Sequence, residues 1–411
     1  NNNINGDSIP EVIPDDQSET INKNVNKSAF KSVINEIFPI SQWIYHYNKS
    51  WFKKDSIAGI TVAILLIPQA LAYAVLAGLP EIWGLYAGTT PLFIYALFGT
   101  STIVAIGPVA PTAIMVASAV DNIIPSDKVD DMELYQSIAV TLSFVSGLIL
   151  LFLGLIKLGG VVVVLSKPVM TGFIMSAAFI ILSSQIKELL GLDIGRYPSF
   201  FDTIIGIFTG LHTINIWTTL VSFFSLTVLY LPKLLGPKYI PKWVPIPLIL
   251  IILVTLISHL CKFNDLGIKI VGGDIKPGFP HPTLPNMKYF FKCIIPGAIV
   301  GIVSYMGSIA LATGFDQKIH EKHKQDTFEY EQCNISDDNT NKIEKPIDLV
   351  PIKLNPNKEF IAFGWSNIVG SLFSSQVVSA SFSRSALNME MEGHSQMSTL
   401  IQCFLASMAL L

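Results

Sequence analysis

The chain has 411 residues, of which 51% are hydrophobic and 14% are charged, whereas soluble domains carry about 25% charged residues. This composition excludes an ordinary soluble protein. Repeated apolar runs close to the length of a bilayer crossing predict an all-α polytopic membrane protein, since backbone groups in lipid must bond within their own helix. The formal net charge of -3 offers no basic surface for a nucleic acid, so we expect no such partner.

The first 54 residues are predicted to form a cytoplasmic tail and an interfacial segment. Residues 1–28 are polar and Asn-rich, which is typical of disorder and differs from a secretory signal peptide. Residues 30–54 mix aromatic rings with lysines, as segments at a membrane surface do. Because loops rich in lysine tend to stay in the cytoplasm, we place the N-terminus there.

Eleven membrane segments are predicted from the apolar runs that follow. They are 57–77, 84–99, 108–120, 134–156, 161–186, 214–232, 245–260, 289–313, 359–374, 382–390 and 397–411. The lysines of 233–242 then fall inside and the acidic loop 121–133 outside, whereas the lysine-rich loop 261–288 disagrees with the charge rule. The chain starts with Asn and its last apolar run is unfinished, so we expect it to be a fragment.

A polar insertion, residues 315–357, is predicted to be a flexible cytoplasmic loop. Its His320 and His323 have the spacing of a metal pair, but no further ligand accompanies them, and we interpret them as solvated. The four cysteines have no paired spacing, so we assign them no chemistry. Nucleophile-elbow, zinc-protease and nucleotide-binding motifs are missing from the sequence. We therefore expect no enzyme, no metal and no cofactor.

Two predicted segments, 108–120 and 382–390, are too short to cross a bilayer alone. Each follows a stretch rich in Gly, Pro or Ser, at 105–110 and 379–384. Paired broken segments often mark the binding site of a transporter. Their N-terminal N–H groups carry partial positive charge and together can hold an anion without a metal. The alternative is that each is a kink in an ordinary helix.

Arg384, at the second broken segment, is the leading candidate for binding. Its guanidinium is always charged, is costly among apolar residues and suits oxyanions. The alternative is an interfacial arginine that reaches the headgroups. Ser383 and Ser385 can donate hydrogen bonds, although Ser385 fits a helix cap equally well. Gly107 and Pro108 begin the first broken segment, where proline suits the first helical turn.

Gln69 and Tyr73 are the polar candidates in the first predicted segment. They lie one helical turn apart on the same face, directly after Pro68. They can line a cavity. Alternatively, Gln69 bonds to a neighbouring helix and Tyr73 belongs to the core.

From Asp55 to its last residue the chain resembles the sulfate permease (SulP) anion transporter family. The resemblance is carried by several stretches in the family's order: IPQALAYAVLAGLP at 67–80, GLY at 84–86, YALFGTS at 95–101, GPVA at 107–110, KPVMTGF at 167–173, NIVGSLF at 367–373 and SRS at 383–385. It implies two inverted repeats of seven segments, arranged as a core domain and a gate domain. The anion is then held between the short third and tenth segments.

Mapped onto this chain, the resemblance implies a core built from 55–157 and 289–411. Residues 158–260 would form half of the gate, and 261–288 an extracellular loop. The rest of the gate and a cytoplasmic STAS domain would be missing, with the chain ending in the eleventh segment. A homodimer and, by default, the plasma membrane are also implied.

The same resemblance implies a set of anion-binding residues. They are Gln69, Tyr73, Val109, Phe382, Ser383 and Arg384, supported by helix ends at Gly107, Pro108, Ala110, Ser381 and Ser385. Val109 stands where some relatives have an aromatic residue, which leaves the choice of anion open.

A second departure from the family's pattern concerns the coupling of anion transport to protons. Proton-coupled relatives carry a Glu near the place of Gly307, and without it proton symport loses its obvious carrier. We therefore favour exchange of sulfate, chloride, bicarbonate or oxalate-like anions. The alternatives are a proton-coupled sulfate symporter, a channel-like or voltage-responsive anion-binding protein, and a membrane scaffold. A nucleobase carrier would need buried carboxylates, which we expect to be absent.

Overall fold

The computed structural model describes residues 38–45, 47–124, 131–160, 185–194, 200–235, 246–268, 278–335 and 354–411, with single residues 172, 175, 176, 179, 182, 183 and 270. The predictions for the tail 1–28, for most of segment 161–186 and for residues 336–353 of the insertion 315–357 lie outside these residues.

Helices make up nearly all regular structure in this part of the chain. The first nine are α1 (Ile40–Ile44), α2 (Lys49–Leu76), α3 (Glu81–Ala87), α4 (Thr90–Phe98), α5 (Ala110–Ile123), α6 (Met132–Leu155), α7 (Phe200–Thr209), α8 (Ile216–Leu235) and α9 (Ile246–Cys261). They are followed by α10 (Met287–Ile335), α11 (Pro356–Leu372), α12 (Phe382–Glu390) and α13 (Met397–Met408). Short 3₁₀ helices cover Gly210–Thr213 and Phe263–Leu266, and two strands, β1 (Ile106–Gly107) and β2 (Ser379–Ala380), form one antiparallel ribbon.

Three helices of the described residues are long and apolar enough to cross a membrane unaided: α2, α6 and the Met287–Gln325 part of α10. A fourth crossing results if Phe200–Thr213 and Ile216–Leu231 count as one span that bends by 117° at the break between them. Ile249–Cys261 and Met397–Met408 are shorter apolar helices.

The predicted segment 84–99 is wrong as a single helix, because α3 and α4 divide it at Gly88 and Thr89. Pro91 lies in the first turn of α4. In a continuous helix its ring would clash with the carbonyl of Ala87 and its missing N–H would break the ladder. Pro91 therefore accounts for the break between α3 and α4.

The insertion 315–357 was predicted to be flexible. This is wrong for residues 315–335, which continue α10 to Ile335, and for Pro356 and Asn357, which begin α11. The segment is rich in Glu, Lys and Gln, which are good helix formers. Asp316 and His320, one turn apart, approach to 3.8 Å. Helix α7 was not among the predicted segments either, since ten residues are too few to span a bilayer.

Close helix contacts join the two ends of the chain into one core. A Cβ on Gly364 of α11 would lie 2.7 Å from the backbone nitrogen of Leu151 in α6. A Cβ on Gly59 of α2 would lie 2.7 Å from the carbonyl oxygen of Ser398 in α13. Membrane helices use such small residues to bring backbones together. These contacts pack α6 against α11 and α2 against α13.

The expectation that buried carboxylates are absent is wrong, because Asp55 and Glu359 are almost completely enclosed. Glu359, 1% exposed, accepts hydrogen bonds from the Tyr95 hydroxyl (2.9 Å), from the Thr100 N–H and hydroxyl (2.7 and 2.6 Å) and from the Ser101 N–H (3.0 Å). Four donors compensate the charge of this carboxylate. Glu359 therefore holds the chain segment that leads from α4 into β1.

Glu359→Ala is expected to destabilise the fold strongly. It leaves four buried donors without an acceptor, and each such group costs about 1–3 kcal/mol. The apparent melting temperature in detergent should fall well below that of Glu188→Ala, a control at an exposed glutamate on the surface of the described chain. Equal melting temperatures for the two variants would contradict this role.

A charged cluster forms around Glu392, which lies in the loop 391–396 between α12 and α13. Glu392 approaches Lys54 to 2.6 Å and Lys322 to 3.6 Å. The hydrogen bond from Lys54, together with the charges of Lys54, Lys322 and His394, holds the pKa of Glu392 below its usual range. A carboxylate with a lowered folded-state pKa stabilises the protein above its unfolded-state pKa. That contribution is lost as the pH falls through the folded-state pKa.

Glu392→Gln is accordingly expected to lower the melting temperature slightly at neutral pH, by an amount worth about 1 kcal/mol or less, because the group is half exposed. The difference from the unaltered protein should shrink as the pH falls through the folded-state pKa of Glu392, where the carboxylate becomes protonated. A melting series across pH tests this, and a difference that persists in acid would count against the ion pairs.

Candidate functional site

The helices α5 and α12 both begin next to the ribbon of β1 and β2. Its register pairs Ile106 with Ala380 and Gly107 with Ser379. Two residues separate β1 from α5, and Ser381 alone separates β2 from α12. The ribbon therefore holds the N-termini of two short helices side by side, as the broken segments predicted.

Hydroxyl groups anchor this ribbon to the helices around it. The Thr112 hydroxyl of α5 lies 2.9 Å from that of Ser379. The Ala380 N–H donates to Ser308 of α10 (2.9 Å), and the Ala105 N–H donates to Ser385 (3.0 Å). Among these, Thr112, Ser308 and Ser379 were not predicted. For Ser308 the available signal was Ser304, four residues earlier in the same apolar segment.

Ser381 and Ser385 have different tasks in the structure. The Ser381 side chain caps α12 by accepting from the Arg384 N–H at 3.4 Å, and its own N–H donates to the Ala105 carbonyl at 3.0 Å. Ser385 is fully buried and receives the Ala105 N–H, so it is not the cap. Both serines thus hold the start of α12 against the chain that enters β1.

Arg384 is completely buried, with 0% of its surface exposed, which excludes the interfacial alternative. Its Nη1 donates to Gln69 Oε1 at 3.0 Å, and its Nη2 donates to the Pro108 carbonyl at 3.1 Å. Its Nε, also buried, has no partner among the described residues. None of the ion pairs in the described part of the chain includes Arg384. A buried cation is thus held by two neutral oxygens.

This arrangement calls for a negative charge. A buried guanidinium without a counter-ion is energetically costly, and neither an amide oxygen nor a carbonyl neutralises it. The N-termini of α5 and α12 add partial positive charge beside it. An anion that accepts from Arg384 Nε and from helix N–H groups would compensate the positive charge of the guanidinium and of both helix N-termini.

Gly107 lies directly against the guanidinium. Its φ of +144° is open to glycine and rarely adopted by other residues. A Cβ there would lie 3.0 Å from Arg384 Nη2 and 3.3 Å from Leu66 Cδ1. The glycine therefore allows the backbone of β1 to approach Arg384.

The other predicted residues surround this centre at different depths. Gln69 and Val109 are half-buried, and Val109 is the extended residue before Ala110, the first residue of α5. Tyr73 is half-buried and packs against a hydrophobic cluster. This packing favours the core interpretation of Tyr73, and its role in a cavity stays a prediction.

Phe382 and Ser383 lie on the exposed side of the first turn of α12. Phe382 is 62% exposed, and its ring centroid lies 5.8 Å from that of Phe315 in α10. The Ser383 hydroxyl lies 3.4 Å from that of Ser381. The structure therefore brings Gln69, Gly107 and Arg384 together, whereas Phe382 and Ser383 are exposed, and no hydrogen bond joins their side chains to Arg384 in the described part of the chain.

Within the described ranges, no three His, Cys, Asp or Glu side chains are grouped so as to hold a metal ion. His320 makes its contacts with Asp316, to whose backbone oxygen its Nδ1 lies at 2.9 Å.

A family model described as the sulfate permease family matches residues 52–327 and 350–411. The chloroplastic sulfate transporter 4.1 of Arabidopsis thaliana is 32% identical over 385 residues, 92% of this chain and 50% of the relative. Human solute carrier family 26 member 6 is 30% identical over 372 residues, 87% of this chain and 45% of the relative. The chain spans about half the length of the curated relatives it matches.

Two solved structures also match this chain. The structure of SLC26A9 matches with a TM-score of 0.76 and 27% identity, over 94% of this chain and 58% of that one. The transmembrane domain of a cyanobacterial bicarbonate transporter, BicA, matches with a TM-score of 0.68 and 20% identity, over 89% of this chain and 83% of that one, which shows the fold alone.

Proposed function

The chain belongs to the sulfate permease family, and on this premise we propose that the protein transports inorganic or small organic anions across a membrane. It is an integral, multi-pass membrane protein with the predicted all-α 7+7 inverted-repeat fold. The observation that carries the proposal is Arg384, buried beside two helix N-termini with no carboxylate to balance it among the described residues. Sulfate, chloride, bicarbonate and oxalate all fit this chemistry.

We further propose that the anion moves by alternating access of a core domain past a gate domain. The core would be 55–157 with 289–411, the gate 158–260, and 261–288 the extracellular loop between them. In support, the buried hydrophobic clusters of the described residues draw only on the two core ranges. Rigid-body movement of one unit past the other suits such a division.

Anion exchange is the proposed mode. Without an anion, the core would have to carry the uncompensated charge of Arg384 through the membrane, which is costly. With an anion bound, that charge is neutralised. The empty carrier should therefore return slowly, and a second anion on the far side should speed the cycle.

Proton-coupled sulfate symport is the less favoured alternative. Position 307 is Gly, and the two buried carboxylates, Asp55 and Glu359, are each surrounded by four hydrogen-bond donors. A protonated carboxyl is itself a hydrogen-bond donor and needs an acceptor. Because the neighbours of both carboxylates donate, they would have to rearrange before either carboxylate could take up a proton. A channel-like protein would conduct without any need for a trans anion.

The N-terminus is proposed to be cytoplasmic and the protein to reside in the plasma membrane as a homodimer. The lysines near the start of α2 support the orientation. One relative is named chloroplastic, so localisation of a fluorescent fusion decides the membrane. We propose no enzymatic activity and no cofactor, since an anion carrier needs neither.

The test is uptake of radiolabelled sulfate and chloride into proteoliposomes of the full-length protein, with and without an unlabelled anion inside. Exchange predicts uptake that rises with the internal anion. Uptake that depends on a proton gradient instead would indicate symport, and rapid uptake independent of both would indicate a channel.

A further inference from the structure

The loop 391–396, which connects α12 to α13, is fastened to the start of α2 by one buried carboxylate. Asp55 is 0% exposed. It accepts hydrogen bonds from the N–H groups of His394 (2.6 Å) and Ser395 (3.1 Å), from the Ser395 hydroxyl (2.5 Å) and from the Tyr47 hydroxyl (3.0 Å). Three of the four donors belong to the loop. Any displacement of the loop therefore leaves a buried carboxylate underbonded.

The helices α2 and α12 are consequently tied at two separate points. The deeper tie is the hydrogen bond from Arg384 to Gln69. The second tie, from Asp55 to the loop, lies fourteen residues back along α2, or about 21 Å at the rise of an α-helix. Two ties at different heights prevent α12 from sliding or rotating against α2. The depth of Arg384 is fixed by both.

We propose that Asp55 is a positioning residue of the anion site, holding the Arg384 helix at the depth where its guanidinium meets the anion. The inference rests on the proposed function of Arg384. Asp55 does not touch the anion itself and acts only through the loop 391–396.

The same loop receives the cytoplasmic extension of α10. Glu392 bonds to Lys54, the residue before Asp55, and approaches Lys322 of that extension. The ring of His394 lies 5.9 Å from that of Trp51 on α2. The ion pairs of Glu392 are partly exposed and are therefore weaker than the hydrogen bonds of the buried Asp55 carboxylate. Asp55 is therefore the group whose loss should release the loop.

The test measures KM and maximal rate of sulfate or chloride uptake for Asp55→Asn in proteoliposomes of the full-length protein. Asn presents an NH₂ group to neighbours that are all donors, so the loop should detach. Since small misplacements of a binding group have large effects, we expect KM to rise about tenfold, with less change in the maximal rate per folded molecule. Asp131→Asn is the matched control, because that aspartate is exposed and only caps α6.

Two milder variants keep the test decisive if Asp55→Asn fails to fold. Ser395→Ala and Tyr47→Phe each remove a single donor, and each should raise KM by about threefold, with Asp131→Asn unchanged. Fewer folded molecules at an unchanged KM, in all three variants, would show a purely structural role and overturn the proposal. Wild-type KM with wild-type yield would overturn it as well. Normal transport by Arg384→Ala would instead refute the proposed function, so the two failures are distinguishable.

Discussion

Arg384→Ala is expected to abolish anion uptake, with a loss of about a hundredfold or more, while leaving the protein folded. The variant removes the one charge that the described site offers, so the anion would have to leave water with only helix N–H groups and neutral oxygens around it. Folding should change little. Removing an uncompensated buried cation relieves a cost, which offsets the about 1–2 kcal/mol of the two lost hydrogen bonds.

In Arg384→Ala, uptake should therefore be lost while the melting temperature stays near that of the unaltered protein. Arg384→Lys is the informative control, since it keeps the charge but loses the planar fork and the Nε that has no partner within the described chain. We expect it to retain a small part of the uptake, with weaker preference for oxyanions. Wild-type uptake by the alanine variant would refute the site. Loss of uptake together with loss of folding would reassign Arg384 to structure.

Gly107→Ala is expected to have the second largest effect, a loss of uptake of about tenfold or more. The new Cβ would lie 3.0 Å from Arg384 Nη2, and the φ of +144° would strain any L-residue by about 1–3 kcal/mol. Either the guanidinium or the β1 backbone must move. Both movements disturb the hydrogen bond from Nη2 to the Pro108 carbonyl.

Gly314→Ala provides the matched control for this glycine. It lies on α10 with open space around a new Cβ, and its φ is not positive. Uptake and melting temperature should stay near those of the unaltered protein. If Gly107→Ala also kept the uptake of the unaltered protein, the close approach of β1 to Arg384 would not be needed for transport.

The sequence predicted the membrane helices wherever an apolar run ended at a clear signal. The segment 382–390 matches α12 in full, because a serine cap precedes it and a charged loop follows. Helix α6 was predicted to within two residues. Helix α2 was underestimated at its start, because Lys49, Lys53 and Lys54 look like a boundary although they continue the helix into the interface.

The site was predicted less completely. Broken segments and a lone arginine indicated a candidate anion site, since these features are local in sequence. The bond between Gln69 and Arg384 joins residues 315 apart, and no local pattern specifies it. Asp55 and Glu359 were missed for a related reason. Each stands at the edge of an apolar run and reads as solvent-exposed until the fold supplies its donors.

The most direct measurement is the anomalous X-ray signal of selenate or bromide in crystals of the full-length protein. We expect a peak within hydrogen-bonding distance of Arg384, between the first turns of α5 and α12, that disappears in Arg384→Ala. A peak elsewhere in the membrane region, or one that survives the substitution, would show that Arg384 does not bind the anion.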